Sequence, residues 1–97
     1  MYINLKFTMK NVAIIMGGYS SEYKISLTSG NVVFNNINRS KFNPYRIHIF
    51  KEKWVYVDEN DTEFPIDKND FSVTINGSKI NFDVIFNAIH GTPGEDG

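Results

Sequence analysis

The sequence has no cysteine, no long apolar run and almost no net charge, and each absence excludes a class of protein. Without cysteine, the 97-residue chain has neither a disulfide framework nor cysteine-ligated zinc, and it is compatible with a reducing compartment. No stretch reaches the roughly 18 apolar residues of a membrane-spanning helix, so we expect no membrane association. A net charge of −1 provides no basic surface, so we expect no nucleic-acid partner.

A chain of this length forms one domain at most, and its 41% hydrophobic fraction is typical of a globular protein. Residues 1–8 lack the long apolar stretch and the small-residue cleavage site of a signal peptide. We interpret them as an N-terminal extension ahead of a second start at Met9; an added edge strand is the alternative. The domain itself then comprises residues 9–97.

The apolar pattern predicts a β-α-β unit and a third core strand. Residues 12–16 are a continuous apolar run, typical of a parallel strand buried on both faces. Helical spacing follows, and it predicts a serine-capped helix that begins between residues 20 and 26 and ends near 38–40. Residues 45–50 and 84–89 are the other two core strands. We therefore expect an α/β fold with a Rossmann-like parallel sheet and flanking helices.

Residues 51–81 are predicted to form a β-rich excursion between the second and third core strands. Residues 53–58 are a short β-rich piece, and a polar loop with Pro65 follows. Asn76-Gly77 lies between two further β-rich runs and predicts a hairpin with a type I′ turn, in which both central residues need positive φ. The aromatic residues expected in the core of this excursion are Trp54, Tyr56 and Phe64.

Two polar segments follow core strands: GGYSSE at residues 17–22 and HGTPGEDG at residues 90–97. Because the carboxyl ends of neighbouring parallel strands meet at one sheet edge, Glu22 and His90 are expected to face one pocket. The first segment fits neither the dinucleotide fingerprint nor the phosphate-binding loop that ends in Gly-Lys-Ser/Thr. Glu22 is either an anchor for an ammonium group or simply a carboxylate at a helix N-terminus.

For three other polar side chains, a structural role is favoured over a role in a binding or metal site. His48 lies within a strand, so we expect a surface or packing residue rather than a site residue. Glu95 and Asp96 are interpreted as acids in the first turn of a following helix, where they are favoured, rather than as metal ligands. We therefore predict no metal site in this chain, and we expect the chain to be part of a longer protein.

The two polar segments, with the strands before them, resemble the N-terminal signatures of the D-alanine–D-alanine ligases, which are ATP-grasp enzymes. The first is VAIIMGGYSSE at residues 12–22, continued by SLTSG at residues 26–30. The second is FDVIFNAIHGTPGEDG at residues 82–97. Order and spacing both fit, whereas residues 51–81 carry no signature.

The resemblance implies a pre-ATP-grasp domain of an enzyme that joins two D-alanines for peptidoglycan in the bacterial cytoplasm, usually as a homodimer. ATP phosphorylates the carboxylate of the first D-alanine, and the amine of the second attacks the acyl phosphate. By motif match, Glu22 is the catalytic residue that holds the ammonium group of the first D-alanine, Ile25 packs near it, and His90 borders the same subsite. ATP and Mg²⁺ bind to later domains, so the chain alone is expected to bind neither and to be inactive.

One departure from the family pattern is visible, since the pair Tyr23-Lys24 stands where many members have arginine followed by an acid. Two alternatives to the ligase reading remain open. The first is a small α/β binding domain without enzymatic activity. The second is part of another ATP-grasp ligase, including one that takes D-lactate as its second substrate.

Overall fold

The computed structural model describes residues 9–19 and 23–89, which form one seven-stranded sheet with a helix packed on it. In chain order the elements are β1 (Lys10–Gly17), α1 (Tyr23–Asn36), β2 (Phe42–Ile49), β3 (Trp54–Val57), β4 (Glu63–Asp67), β5 (Ser72–Ile75), β6 (Ser78–Asn81) and β7 (Val84–Asn87). Across the sheet the strands are ordered β6-β5-β4-β3-β2-β1-β7. No helix among the described residues is long and apolar enough to cross a membrane.

Strand β1 is the centre of the parallel part of the sheet. It pairs with β2 on one side and with β7 on the other, and both pairings are parallel. Ala13, Ile14 and Met16 have no exposed surface, and their side chains alternate between the two faces. The predicted parallel pairing and the two-sided burial of β1 are therefore confirmed. Strand β7, predicted as a core strand over residues 84–89, ends at Asn87 and is exposed, because among the described residues only β1 pairs with it.

Helix α1 covers one face of β1. Its apolar side chains pack against a buried cluster on that face, and those side chains are Leu27, Val33 and Phe34, with Ile37 just after the helix. The helix ends at Asn36, two residues before the predicted end. The reason is local: the Asn38 side chain accepts a hydrogen bond from the Ser40 backbone N–H at 2.9 Å, which starts a turn in place of another helical turn.

Strands β3 to β6 extend the same sheet in antiparallel fashion, so the predicted excursion is part of the main sheet. The polar loop predicted around Pro65 is wrong, because these residues form β4. Pro65 pairs only with Val55 of β3, and pairing with β5 begins one residue later, at Ile66. Proline, which has no N–H to donate, thus occupies a position of β4 that pairs with β3 but not with β5.

The hairpin is confirmed. Asn76 and Gly77 connect β5 to β6 with φ angles of 51° and 85°, the left-handed pair that a type I′ turn requires.

The sheet is strongly curled. Strands β6 and β7 lie at opposite ends of the strand order, which in a flat sheet would place them roughly 29 Å apart at about 4.8 Å per strand. Only Phe82 and Asp83 connect them, and a chain advances at most about 3.6 Å per residue. The two edge strands, β6 and β7, therefore approach each other. In agreement, the Asn11 side chain of β1 donates a hydrogen bond to the Asn81 carbonyl of β6 at 3.0 Å.

The concave side of this curl holds the larger core. Aromatic rings line it in edge-on and stacked contacts, including Tyr45 against Phe82 at 5.4 Å and Tyr56 against Phe64 at 5.7 Å between ring centroids. The buried residues beneath them are Ala13, Ile47, Ile49, Ile66 and Val73. Trp54, Tyr56 and Phe64 pack against this core, as predicted.

Candidate functional site

The carboxyl ends of β1, β2 and β7 lie at the same edge of the sheet. Gly17 is in register with Ile49, and Ile15 is in register with Asn87. The chain leaves β1 through Gly17 and Gly18, whose φ angles of 102° and 100° favour glycine. The Gly18 N–H donates a 2.6 Å hydrogen bond to the Ile49 carbonyl, so the turn is fastened to β2.

Gly17 is required for a second reason, which is space. A Cβ atom at this position would lie 2.9 Å from the Ile49 carbonyl oxygen and 3.1 Å from the Phe50 ring. The glycine of the first signature is therefore explained by close packing as well as by backbone conformation.

The buried hydroxyl of Ser26 connects the ends of β1 and β7. It accepts a 2.8 Å hydrogen bond from the Gly17 N–H and donates a 2.6 Å hydrogen bond to the Ala88 carbonyl. Ser26 has no exposed surface, and both of its partners are buried backbone groups. The first helix and both signature strands thus meet at one side chain.

Two of the three predicted site residues, Glu22 and His90, lie outside the described residues, so their convergence stays a prediction. The third, Ile25, lies in the first turn of α1, and 56% of its surface is exposed. It is next to the buried Ser26, so it is on the part of the helix that adjoins the sheet edge. Its role toward a ligand also stays a prediction.

Tyr23 makes an aromatic contact at this edge. Its ring meets the Phe50 ring edge-on, with the centroids 5.8 Å apart, and Phe50 also contacts His48 at 6.1 Å. Tyr23 occupies the position where the sequence departs from the ligase pattern. The first residue of the Tyr23-Lys24 pair thus makes an aromatic contact with the residue that follows β2.

His48 is a packing residue, as predicted, and its ring is only partly exposed to solvent. Its Nε2 atom is buried and has no hydrogen-bond partner among the described residues. Burial lowers the pKa of His48, and the positive charge of Arg46 two residues earlier lowers it further. His48 lies on the helix-covered side of β2, where both effects favour its neutral form.

Sequence reasoning missed Ser26 and the Tyr23–Phe50 contact. A serine on the apolar face of a helix, four residues before Gly30, was the available signal for Ser26, because a buried hydroxyl needs partners. Within residues 9–19 and 23–89, no group of three or more histidine, aspartate or glutamate side chains is placed to hold a metal ion.

Comparison with known proteins agrees with both signatures. Residues 11–97 match the family described as D-ala D-ala ligase N-terminus. The chain belongs to this family. The D-alanine–D-alanine ligase of Flavobacterium johnsoniae is 78% identical over 89 residues, which are 92% of this chain and 28% of that relative.

Two solved structures share the fold. D-alanyl-alanine synthetase A from Vibrio cholerae superposes with a TM-score of 0.71 at 29% identity, over 95% of this chain and 27% of that protein. The VanG D-Ala:D-Ser ligase from Enterococcus faecalis gives a TM-score of 0.70 at 29% identity, over 93% of this chain and 32% of that protein. The chain thus spans about a quarter to a third of the length of these relatives.

Proposed function

We propose that this chain is the N-terminal domain of an ATP-dependent D-alanine–D-alanine ligase, which forms the D-alanyl-D-alanine dipeptide for peptidoglycan synthesis. The observation that carries the proposal is the pairing of β1 with β7 in parallel. The two signature segments follow these two strands, so the chain enters both segments from one edge of the sheet. This is the edge at which open α/β sheets bind ligands.

Within that site, Glu22 holds the ammonium group of the first D-alanine, Ile25 packs beside it and His90 borders the same subsite. The helix dipole favours negative charge near a helix N-terminus, and Glu22 directly precedes the first residue of α1 in the sequence. An ionised carboxylate is the natural partner of an ammonium group. The exposed position of Ile25 in the first turn of α1 is consistent with contact to a small ligand.

The remaining parts of the reaction belong to the rest of the protein. ATP and Mg²⁺ bind to domains that follow this one, and the enzyme acts as a homodimer in the bacterial cytoplasm.

D-alanine is the favoured second substrate. The relative that is 78% identical is named a D-alanine–D-alanine ligase, whereas the D-Ala:D-Ser ligase is 29% identical. Another ATP-grasp ligase, with D-serine or D-lactate second, is the alternative. A binding domain without enzymatic activity has less support, because the relatives carry ligase names.

The test is product analysis with the full-length protein encoded by the parent gene. Incubated with ATP, Mg²⁺ and D-alanine, it should release D-alanyl-D-alanine, ADP and phosphate in equal amounts, and L-alanine should give no product. Parallel reactions with D-alanine plus D-serine or D-lactate compare the second substrates. Absence of every one of these products from a folded protein would contradict the proposal.

A further inference from the structure

The Ser26 hydroxyl occupies the place of a missing rung in the β1–β7 ladder. The Ala88 N–H donates a 2.9 Å hydrogen bond to the Ile15 carbonyl. In a regular parallel ladder the next bond would run from the Gly17 N–H to the Ala88 carbonyl. In this protein both groups bond to the Ser26 hydroxyl instead, at 2.8 Å and 2.6 Å.

A regular rung would satisfy both backbone groups without any side chain. What the hydroxyl adds is separation, since an oxygen atom stands between a donor and an acceptor that otherwise meet directly. The ends of β1 and β7 are therefore held apart at the edge where they lead into the two signature segments. Ser26 also belongs to α1, so the same atom fixes the first turn of the helix against both strands.

We propose that Ser26 is a positioning residue for the subsite of the first D-alanine. By holding Gly17 away from Ala88, it sets the spacing between the segment that leads to Glu22 and the segment that leads to His90. Without the hydroxyl, the two backbone groups either close into a direct rung or remain unpaired. A direct rung narrows that spacing, and unpaired groups no longer fix it. This inference rests on the proposed function.

A second buried serine provides the matched control. Ser72 is 2% exposed, and its hydroxyl donates a 2.6 Å hydrogen bond to the Asp70 carboxylate. It pairs with Asn81, whose carbonyl accepts a hydrogen bond from Asn11 at the start of β1. Ser72 therefore lies toward the opposite edge of the sheet from Ser26. Loss of its hydroxyl removes a partly buried hydrogen bond without touching the candidate site.

The experiment compares Ser26→Ala, Ser26→Cys and Ser72→Ala in the full-length ligase. Steady-state kinetics give the KM for the first D-alanine, the KM for the second and the KM for ATP, and melting temperatures are measured alongside. Ser26→Ala should raise the KM for the first D-alanine by about ten- to a hundredfold, because small displacements of binding groups are costly. The other two KM values should change by less than about twofold, as should all three in Ser72→Ala.

Ser26→Cys retains an atom between the two backbone groups, although sulfur is a weak donor and acceptor. Its KM for the first D-alanine should lie between those of wild type and Ser26→Ala. If Ser26→Ala does not fold, Ser26→Cys provides the test. Folded Ser26 variants with no rise in the first KM would overturn the inference, as would equal rises in all three KM values. Wild-type protein that forms no dipeptide would contradict the proposed function and this inference with it.

Discussion

The contact between Gly30 and Met16 determines how closely α1 approaches the sheet. A Cβ atom at Gly30 would lie 2.8 Å from the Cβ, Sδ and Cε atoms of the buried Met16. Overpacking costs about 1–3 kcal/mol, and the better helix propensity of alanine offsets about 1 kcal/mol of this cost. Gly30→Ala should therefore lower the free energy of unfolding by up to about 2 kcal/mol. Thermal or urea denaturation measures the change.

Val32→Ala is the control for this substitution, because Val32 is 55% exposed on the same helix. It should leave stability unchanged within about 0.5 kcal/mol. If Gly30→Ala were as stable as Val32→Ala, the close approach of α1 to β1 would be wrong.

His48 should make the protein less stable as the pH falls. Its pKa is below the ordinary value of 6.5, chiefly through burial, so the unfolded chain takes up a proton at a higher pH than the folded one. The stability that neutral His48 contributes is complete above pH 6.5 and is lost as the pH falls through the folded pKa. His48→Gln removes this titration, so stability should depend less on pH below 6.5. Denaturation curves between neutral and acidic pH measure the difference, and parallel pH profiles for the two proteins would refute it.

At the scale of elements, the β5–β6 turn allows the cost of backbone strain to be measured without a steric clash. Gly77 has a φ of 85°, and a Cβ at this position would meet no atom within 4 Å. Gly77→Ala should therefore cost about 1–2 kcal/mol through backbone strain alone. Asn76→Gly, at the other left-handed position, should be close to neutral. Unfolding free energies of the two variants provide the test; equal values would exclude a strained left-handed position at residue 77.

Elements with strong local patterns were predictable from the sequence, whereas elements that depend on which other strands pair with them were not. The apolar run of β1 and the Asn76-Gly77 turn carry their structure in a few residues, and both are confirmed. Strand β4 was missed because proline disfavours a strand wherever a ladder hydrogen bond is needed. Whether Pro65 faces such a bond depends on where β5 begins to pair, and that is a long-range property.

Of the candidate site, the strand arrangement was predictable. The sequence predicts that both polar segments follow parallel strands, and the pairing of β1 with β7 confirms this for the strands, whereas the convergence of Glu22 and His90 stays a prediction. Ser26 was missed because its role depends on backbone groups 9 and 62 residues away in the sequence. The curl of the sheet was missed for a similar reason, since it follows from the short connection between β6 and β7.

At the scale of the whole molecule, β7 gives the isolated chain a surface suited to self-association. Its Val84, Ile85 and Phe86 are 42%, 54% and 46% exposed, and among the described residues β7 pairs with β1 alone. Exposed apolar edge strands pair readily with further copies. The 97-residue chain should therefore scatter light as more than a monomer.

Ile85→Lys should shift the isolated chain toward monomer, because a charge on an edge strand opposes pairing. Val32→Lys, on the exposed side of α1, should not. A monomer at every concentration for the unchanged chain would contradict this expectation.

We propose that this domain supplies the subsite for the first D-alanine, and the kinetics of Glu22→Gln in the full-length protein test this role. The substitution keeps the shape of the side chain and removes its charge. A buried charge-assisted hydrogen bond contributes roughly 1.5–3 kcal/mol, so kcat/KM for the first D-alanine should fall by about tenfold to a few hundredfold. Glu59→Gln, in the exposed turn between β3 and β4 at the opposite edge of the sheet, should match wild type. Unchanged kinetics of a normally folded Glu22→Gln enzyme would contradict this role for Glu22.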